Sequence, residues 1–190
     1  MCIRDRGKLL KSAHAVDREY RVQLALQNSE VPVPRMAAFC SDLSILGTEF
    51  YIMDHIEGTC FEDPRLNIFA KYHRYSIFEE MSTILAKIHK VDLLKVGLSD
   101  FGPGGNYFGR QITRWTKQYI SSETDKIEKM DQLIKWLEEN IPDDDERRCL
   151  VHGDFRLDNL LFNPNENKCV AVLDWELSLI HISEPTRRRH

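Results

Sequence analysis

The chain reads as an α+β fold, with a helix first, strands early and late, and three helices between them. Three observations predict this. Apolar residues recur at helical spacing in four stretches, Ser12 to Leu26, Ser76 to Lys90, Tyr107 to Ile120 and Lys126 to Asn140. Arg35 to Cys40 and Glu49 to Ile56 read as strands around a turn at Ser41 to Gly47. Leu160 to Phe162 and Cys169 to Leu173 are apolar and enclose Asn163-Pro164-Asn165-Glu166-Asn167, a run dense in turn formers, so together they predict a hairpin.

Each element has its reason. Ser12 to Leu26 sets Val16, Tyr20 and Leu24 on one stripe, and Glu19 lies on the same helix. Val31-Pro32-Val33-Pro34 is an extended connector, because a residue before proline is pushed out of the helical region. Glu57-Gly58 ends the second strand. Ser76 to Lys90 shows an apolar face of Ile77, Phe78, Met81, Ile84, Leu85 and Ile88, and His89 suits the negative end of that helix whatever the function. Phe101-Gly102-Pro103-Gly104-Gly105 has no strand before it, as a phosphate-cradling loop requires, and reads as a flexible lead into the next helix or a substrate-side loop. That helix carries Phe108, Ile112, Trp115 and Tyr119 as an expected core stripe, and the next carries Ile127, Met130, Ile134 and Leu137. Pro142 and the acidic run Asp143 to Glu146 form a solvated loop, and no internal repeat is present.

Composition narrows the function classes. The 190 residues are 42% hydrophobic and 29% charged with a formal net charge of −4, and a chain of this size buries about 70% of its unfolded surface, enough for one domain or two small lobes. The acidic balance and the lack of a basic stripe with interleaved aromatics argue against a nucleic-acid partner. No apolar run approaches the roughly 20 residues of a membrane span. Five scattered cysteines without zinc spacing indicate reduced thiols and a reducing compartment.

The chemistry concentrates in Val151-His152-Gly153-Asp154-Phe155-Arg156-Leu157-Asp158-Asn159 and in Leu173-Asp174-Trp175-Glu176. A hairpin turn near Asn165 or Glu166 places the residue opposite Asn159 within about two positions of Asp174. An amide and a carboxylate thus meet at the open end, with Asp154 just upstream. Magnesium wants hard oxygen ligands, usually one or two carboxylates plus substrate phosphates, so Asn159 and Asp174 are the expected metal ligands and Glu176 a further one. Without a cation the acids repel by roughly 4 kcal/mol per pair at 4 Å and an effective dielectric near 20. Asp154 is the expected base for an attacking hydroxyl, a role worth about 10²–10⁴-fold in rate. His152 reads as structural, a ring that bonds backbone and fixes the loop. Arg156 either meets a phosphate or acidic substrate, or pairs with Asp158. A zinc or iron hydrolase is disfavoured because the seven histidines show no ligand spacing, and a Ser-His-Asp hydrolase because no Gly-x-Ser-x-Gly turn exists.

His152-Gly153-Asp154 with Asn159 and Leu173-Asp174-Trp175-Glu176 resembles the aminoglycoside phosphotransferase and choline kinase superfamily. Gly7 to Tyr20, Val31 to Pro34, Asn106-Tyr107-Phe108, Arg114 to Tyr119 and Arg156 to Leu160 resemble one branch of it, the kinase-like domain fused to acyl-CoA dehydrogenases in family members 10 and 11. The likeness runs from about Gly7 to Ser178. It implies a protein-kinase-like two-lobe fold, with a small nucleotide lobe over 7–58 and a larger catalytic lobe over 59–178. It further implies ATP and Mg2+ as cofactors, and a small-molecule hydroxyl as phosphate acceptor, with a hydroxylated acyl-CoA suggested by the branch. Glu19 matches the helix glutamate that pairs with a phosphate-binding Lys, although a solvated glutamate fits the same residue. Met53, Asp54, His55 and Ile56 would lie near the nucleotide base, although a plain sheet edge fits those as well. The parent protein would carry a covalently linked dehydrogenase domain and reside in peroxisome or mitochondrion, otherwise in the cytoplasm. Residues 1–6 and 179–190 do not resemble the family and read as foreign strings. The phosphate-covering loop, its Lys and the C-terminal helices are not recognised, so the fold is expected to be incomplete at both ends and the chain alone inactive. The alternative class is a kinase-like module that binds nucleotide or a partner without catalysis.

Overall fold

Helix α1 (Val16–Leu26) opens the part of the chain that the computed structural model describes, residues 16–102, 106–142 and 148–182. The expected helix start at Ser12, the glycines at 104 and 105 and the acidic run from 143 lie outside those residues. Within α1 the buried side chains are Glu19, Val22, Gln23 and Leu26, while Leu24, expected inside, is 43% exposed. The stripe is displaced because two polar residues find partners: Glu19 accepts the Trp175 backbone N–H at 3.3 Å, and Gln23 Nε2 donates to Tyr51 Oη at 3.4 Å. Apolar periodicity cannot register a buried polar group whose partner lies far along the chain. Tyr20 packs on the other flank, stacked on Phe39 at 5.3 Å between ring centroids.

Strands β1 (Met36–Cys40) and β2 (Phe50–Met53) pair antiparallel, with Phe39 opposite Tyr51. The connection holds one helical turn, α2 (Leu43–Leu46). Asp42 caps its start by accepting from Ser44 N at 2.8 Å, and Gly47, at φ 77, closes it by donating to Leu43 O. Both are ordinary cap signals. Strand β2 stops at Met53, before the expected Ile56, where Asp54 turns to an ion pair with Arg35 at 2.9 Å.

Helix α3 (Lys71–His89) begins ahead of the expected Ser76, because Lys71 to Tyr75 are largely solvent-facing and add no apolar period. It buries Ile77, Ile84 and Ile88 as expected, but also Glu80, and leaves Phe78 43% exposed. Glu80 tolerates burial because Lys168 Nζ donates to it at 2.6 Å and Cys169 N at 3.2 Å.

Strand β3 (Arg148–Val151) leads into the segment 152–159 and pairs with β6 (Leu179–Ile182). Those last four residues, set apart in the sequence reading, therefore form a strand. Strands β4 (Leu160–Phe162) and β5 (Cys169–Val172) make the expected hairpin, with Leu160 opposite Val172. Thr59 bridges the outer side of Phe162 through bonds of 2.8 and 2.9 Å, and Val172 N donates to Pro32 O at 2.8 Å.

The chain divides into two compact units. Among the described residues the first gathers 16–101 and 150–179, and the second 102–149 and 180–182. Residues 59–101 thus group with α1, β1 and β2, whereas the expected lobe boundary falls at 58; the bonds of Arg18 to Phe101 O and of Arg21 to Gly97 O are among the ties across it. The core of the first unit includes Val22, Leu26, Ile77, Ile84, Leu98, Leu150, Phe162, Val172 and Trp175. In the second unit α4 (Tyr107–Ser122) and α5 (Glu128–Glu139) contact each other, yet neither has a buried residue. The expected core stripes are not cores here: Trp115 is 54% exposed and Ile127 50%. An amphipathic stripe reads the same in sequence whether or not a second layer covers it, and two helices cannot enclose a core between them.

Candidate active site

The site is built by the segment leaving β3 and by the residues after β5. His152 follows β3 and is 1% exposed. Its Nδ1 accepts the Asp154 backbone N–H at 3.3 Å, so the proton sits on Nε2, which donates to Leu173 O at 2.9 Å. The ring lies against Trp175, 4.5 Å between centroids. Desolvation holds its pKa below the ordinary value, although the Leu173 carbonyl and the charges of Asp174 and Asp154 pull the other way. A neutral ring thus ties the start of the loop to the strand end that carries Asp174, the structural part expected of it.

Gly153 adopts φ 89, and an added Cβ would stand 2.7 Å from the Leu177 carbonyl carbon and closer still to its oxygen. Only glycine lets the two backbones approach this closely. Asp154 follows, half-buried. A single 3-10 turn, Leu157–Asn159, then turns the chain back, so that Asn159 Nδ2 donates to Asp154 O at 2.8 Å and to its carboxylate at 3.2 Å. Asn159 O also accepts Leu173 N at 2.9 Å, which places Asp174 one residue beyond the position opposite Asn159. The hairpin therefore brings Asn159 and Asp174 to its open end, and Asn159 reaches Asp154.

Asp174 departs from ordinary geometry twice. Its backbone is left-handed, at φ 61, a conformation that costs a non-glycine residue of order 1 kcal/mol and persists only where the surroundings impose it. Its Oδ1 is buried with no hydrogen-bond partner among the described residues. Leaving one buried carboxylate oxygen unpaired costs about 1–3 kcal/mol, and a cation is the natural remedy. Asn159 Nδ2 is turned to Asp154, so the side-chain Oδ1 is not the atom used in that bond. No three His, Cys, Asp or Glu side chains cluster for metal binding among the described residues. Two acids and an amide are hard-oxygen donors of the kind that suits magnesium completed by phosphate and water. Glu176 is half-buried two residues further on.

Of the remaining expected residues, Arg156 takes the second of its two readings. It pairs with Asp158 through two contacts, Nε to Oδ1 at 2.8 Å and Nη2 to Oδ2, and Asp158 chiefly holds its pKa above the ordinary value. Glu19 is 3% exposed, so the solvated reading fails; it grips the backbone immediately after Asp174. Met53, Asp54, His55 and Ile56 stand at and beyond the end of β2, with Asp54 engaged by Arg35, and no described hydrogen bond joins them to the Asp154 group. The contacts that sequence reasoning missed are those of Glu19 with Trp175 and of Gly153 with Leu177. For the second, glycine between His152 and Asp154 was the available signal.

The sequence profile of the phosphotransferase enzyme family matches residues 3–181. This chain belongs to that family. Among its relatives, acyl-CoA dehydrogenase family member 11 of Rattus norvegicus is 46% identical over 172 residues, covering 90% of this chain and 22% of that protein. Family member 10 of Mus musculus is 47% identical over 174 residues, 92% of this chain and 16% of that one. The chain therefore spans at most about a fifth of the length of these curated relatives. A crystal structure from Ralstonia eutropha, of a candidate aminoglycoside phosphotransferase, superimposes with a TM-score of 0.82 at 48% identity over 87% of this chain and 51% of that one. The streptomycin–ATP ternary complex of another aminoglycoside phosphotransferase aligns with a TM-score of 0.61 at 20% identity, over 86% of this chain and 55% of that one, a likeness of fold. The fold of this family member is thus protein-kinase-like and partial, as the sequence motifs imply. No described helix is long and apolar enough to cross a membrane.

Proposed function

We propose that this chain is the catalytic part of an ATP- and magnesium-dependent phosphotransferase that acts on a small-molecule hydroxyl. The observation that carries the reading is the buried, partnerless Oδ1 of Asp174 beside Asn159, at the end of a loop that also presents Asp154. Asn159 and Asp174 would hold the metal, with Glu176 as a lesser ligand. A magnesium ion bound there would neutralise charge on the phosphates. Asp154 accepts the proton of the attacking hydroxyl, and Asn159 Nδ2 orients its carboxylate at 3.2 Å. His152, neutral and buried, holds the loop without moving a proton. Met53, Asp54, His55 and Ile56 would border the adenine, and Glu19 would belong to the nucleotide side. Arg156, engaged by Asp158, would need to leave that pair to meet an anionic substrate.

The acceptor we infer is a hydroxylated acyl-CoA, in a parent protein that also carries a dehydrogenase domain; the names of the similar relatives support this. The test is phosphate transfer from labelled ATP to a hydroxyacyl-CoA by the parent protein. Transfer lost on Asp154→Asn supports the whole reading. Transfer to a simpler alcohol but not to hydroxyacyl-CoA removes the acceptor and keeps the reaction class. Transfer undiminished by Asp154→Asn overturns the mechanism.

A further inference from the structure

The left-handed backbone of Asp174 needs an external restraint, and consecutive residues of α1 provide one on each side of the turn that follows it. Glu19 accepts the N–H of Trp175 at 3.3 Å. Arg18 donates through Nη2 to Ser178 O at 3.4 Å and to Phe101 O at 3.2 Å, and its guanidinium lies 4.1 Å from the Phe101 ring centroid. Ser178 N closes the turn by donating to Trp175 O at 3.0 Å. Residues 175–178 are therefore clasped at both ends by one helix.

Arg21, Arg35, Arg65 and Arg156 each pair with an aspartate, whereas Arg18 has no carboxylate partner among the described residues and spends its donors on two carbonyls. A planar guanidinium can reach two acceptors while lying on an aromatic face, and a lysine ammonium cannot do both. Phe101 is 2% exposed, so the anchor on which Arg18 rests is itself fixed.

We propose that Arg18 is a positioning residue for Asp174: by holding the Ser178 carbonyl it keeps the turn closed and the Asp174 carboxylate aimed for cation binding. The inference rests on the reading of Asp174 as a metal ligand. It assigns to the charged end of α1 a task distinct from any contact with the nucleotide.

The test compares wild type, Arg18→Met, Arg18→Lys and Asp174→Asn. Each is titrated with magnesium at fixed ATP while the rise in unfolding temperature is followed, and with ATP in EDTA as a metal-free control. Arg18→Met keeps the apolar stem on Phe101 and loses both donors. We expect it to raise the magnesium concentration at half-effect about 5-fold, the loss of roughly one hydrogen bond, with the metal-free ATP response unchanged. Arg18→Lys, able to restore one carbonyl contact, should fall between Arg18→Met and wild type. Arg18→Met added to Asp174→Asn should cause no further loss, because the two act on one site. A merely structural Arg18 would lower the ligand-free unfolding temperature and weaken the responses with and without metal alike, and that pattern overturns the proposal. So does an unchanged magnesium half-point in Arg18→Met while Asp174→Asn abolishes the response. An unaltered magnesium response in Asp174→Asn instead overturns the metal-ligand reading on which the proposal stands.

Discussion

Replacing Gly153 with alanine tests the packing of the loop that carries Asp154. Two costs add. At φ 89 a Cβ is sterically disfavoured by roughly 1–2 kcal/mol. The new methyl would also lie 2.7 Å from the Leu177 carbonyl carbon and 2.8 Å from its Cβ. These are backbone and backbone-proximal atoms rather than the tip of a flexible side chain, so something must move by about 0.7 Å or more. Overpacking of this kind costs about 1–3 kcal/mol. The sum, about 2–5 kcal/mol, is a large part of a typical domain's margin of 5–15 kcal/mol. Urea unfolding followed by circular dichroism reads it directly, as a lower midpoint with an unchanged slope. Should Gly153→Ala unfold within about 0.5 kcal/mol of wild type, the close approach of the two segments, and with it the geometry assigned to Asp154 and Asp174, is wrong.

Other perturbations probe the supports of the site. Glu80→Ala strands the buried Cys169 N–H and should cost about 1–3 kcal/mol in urea unfolding, while Glu80→Gln, which keeps an acceptor, should cost less; equal losses would contradict the hydrogen-bond account. Lys168, paired with Glu80, has its pKa raised above the ordinary 10.5. The stability it contributes is thus complete below that value and lost as pH rises through the folded value, so wild type should weaken more steeply than Lys168→Met across that alkaline range. His152 is the opposite case. Burial depresses its pKa below 6.5, so its contribution is complete above that pH and declines as pH falls toward the folded value. The unfolding temperature of wild type should fall between pH 7 and pH 5 faster than that of His152→Gln, and parallel curves would show that the ring is not buried neutral.

Much of the site was legible because its determinants are local. The turn formers at 163–167 fixed the hairpin, and the hairpin fixed the nearness of Asn159 to Asp174, which the Leu173 to Asn159 bond bears out. What escaped was set by distant partners. Glu19, Gln23 and Glu80 are buried because Trp175 N, Tyr51 Oη and the Lys168–Cys169 pair meet them, and no window of sequence around them contains those groups. Leu24 and Trp115 erred the other way: each lies on an apolar stripe at correct spacing, but neither is buried by the elements around it. The early start of α3 was hidden because Lys71 to Tyr75 have helix propensity without an apolar face.

In the proposed mechanism Asp174 and Asn159 share a divalent cation that arrives with nucleotide. Manganese, which is paramagnetic and prefers the same oxygen ligands, can be titrated into the chain with ADP while the free-ion electron paramagnetic resonance signal is recorded. One ADP-dependent manganese site is predicted, weakened at least tenfold by Asp174→Asn and by Asn159→Ala. Equal manganese affinity in wild type and Asp174→Asn, with both proteins folded, would contradict it.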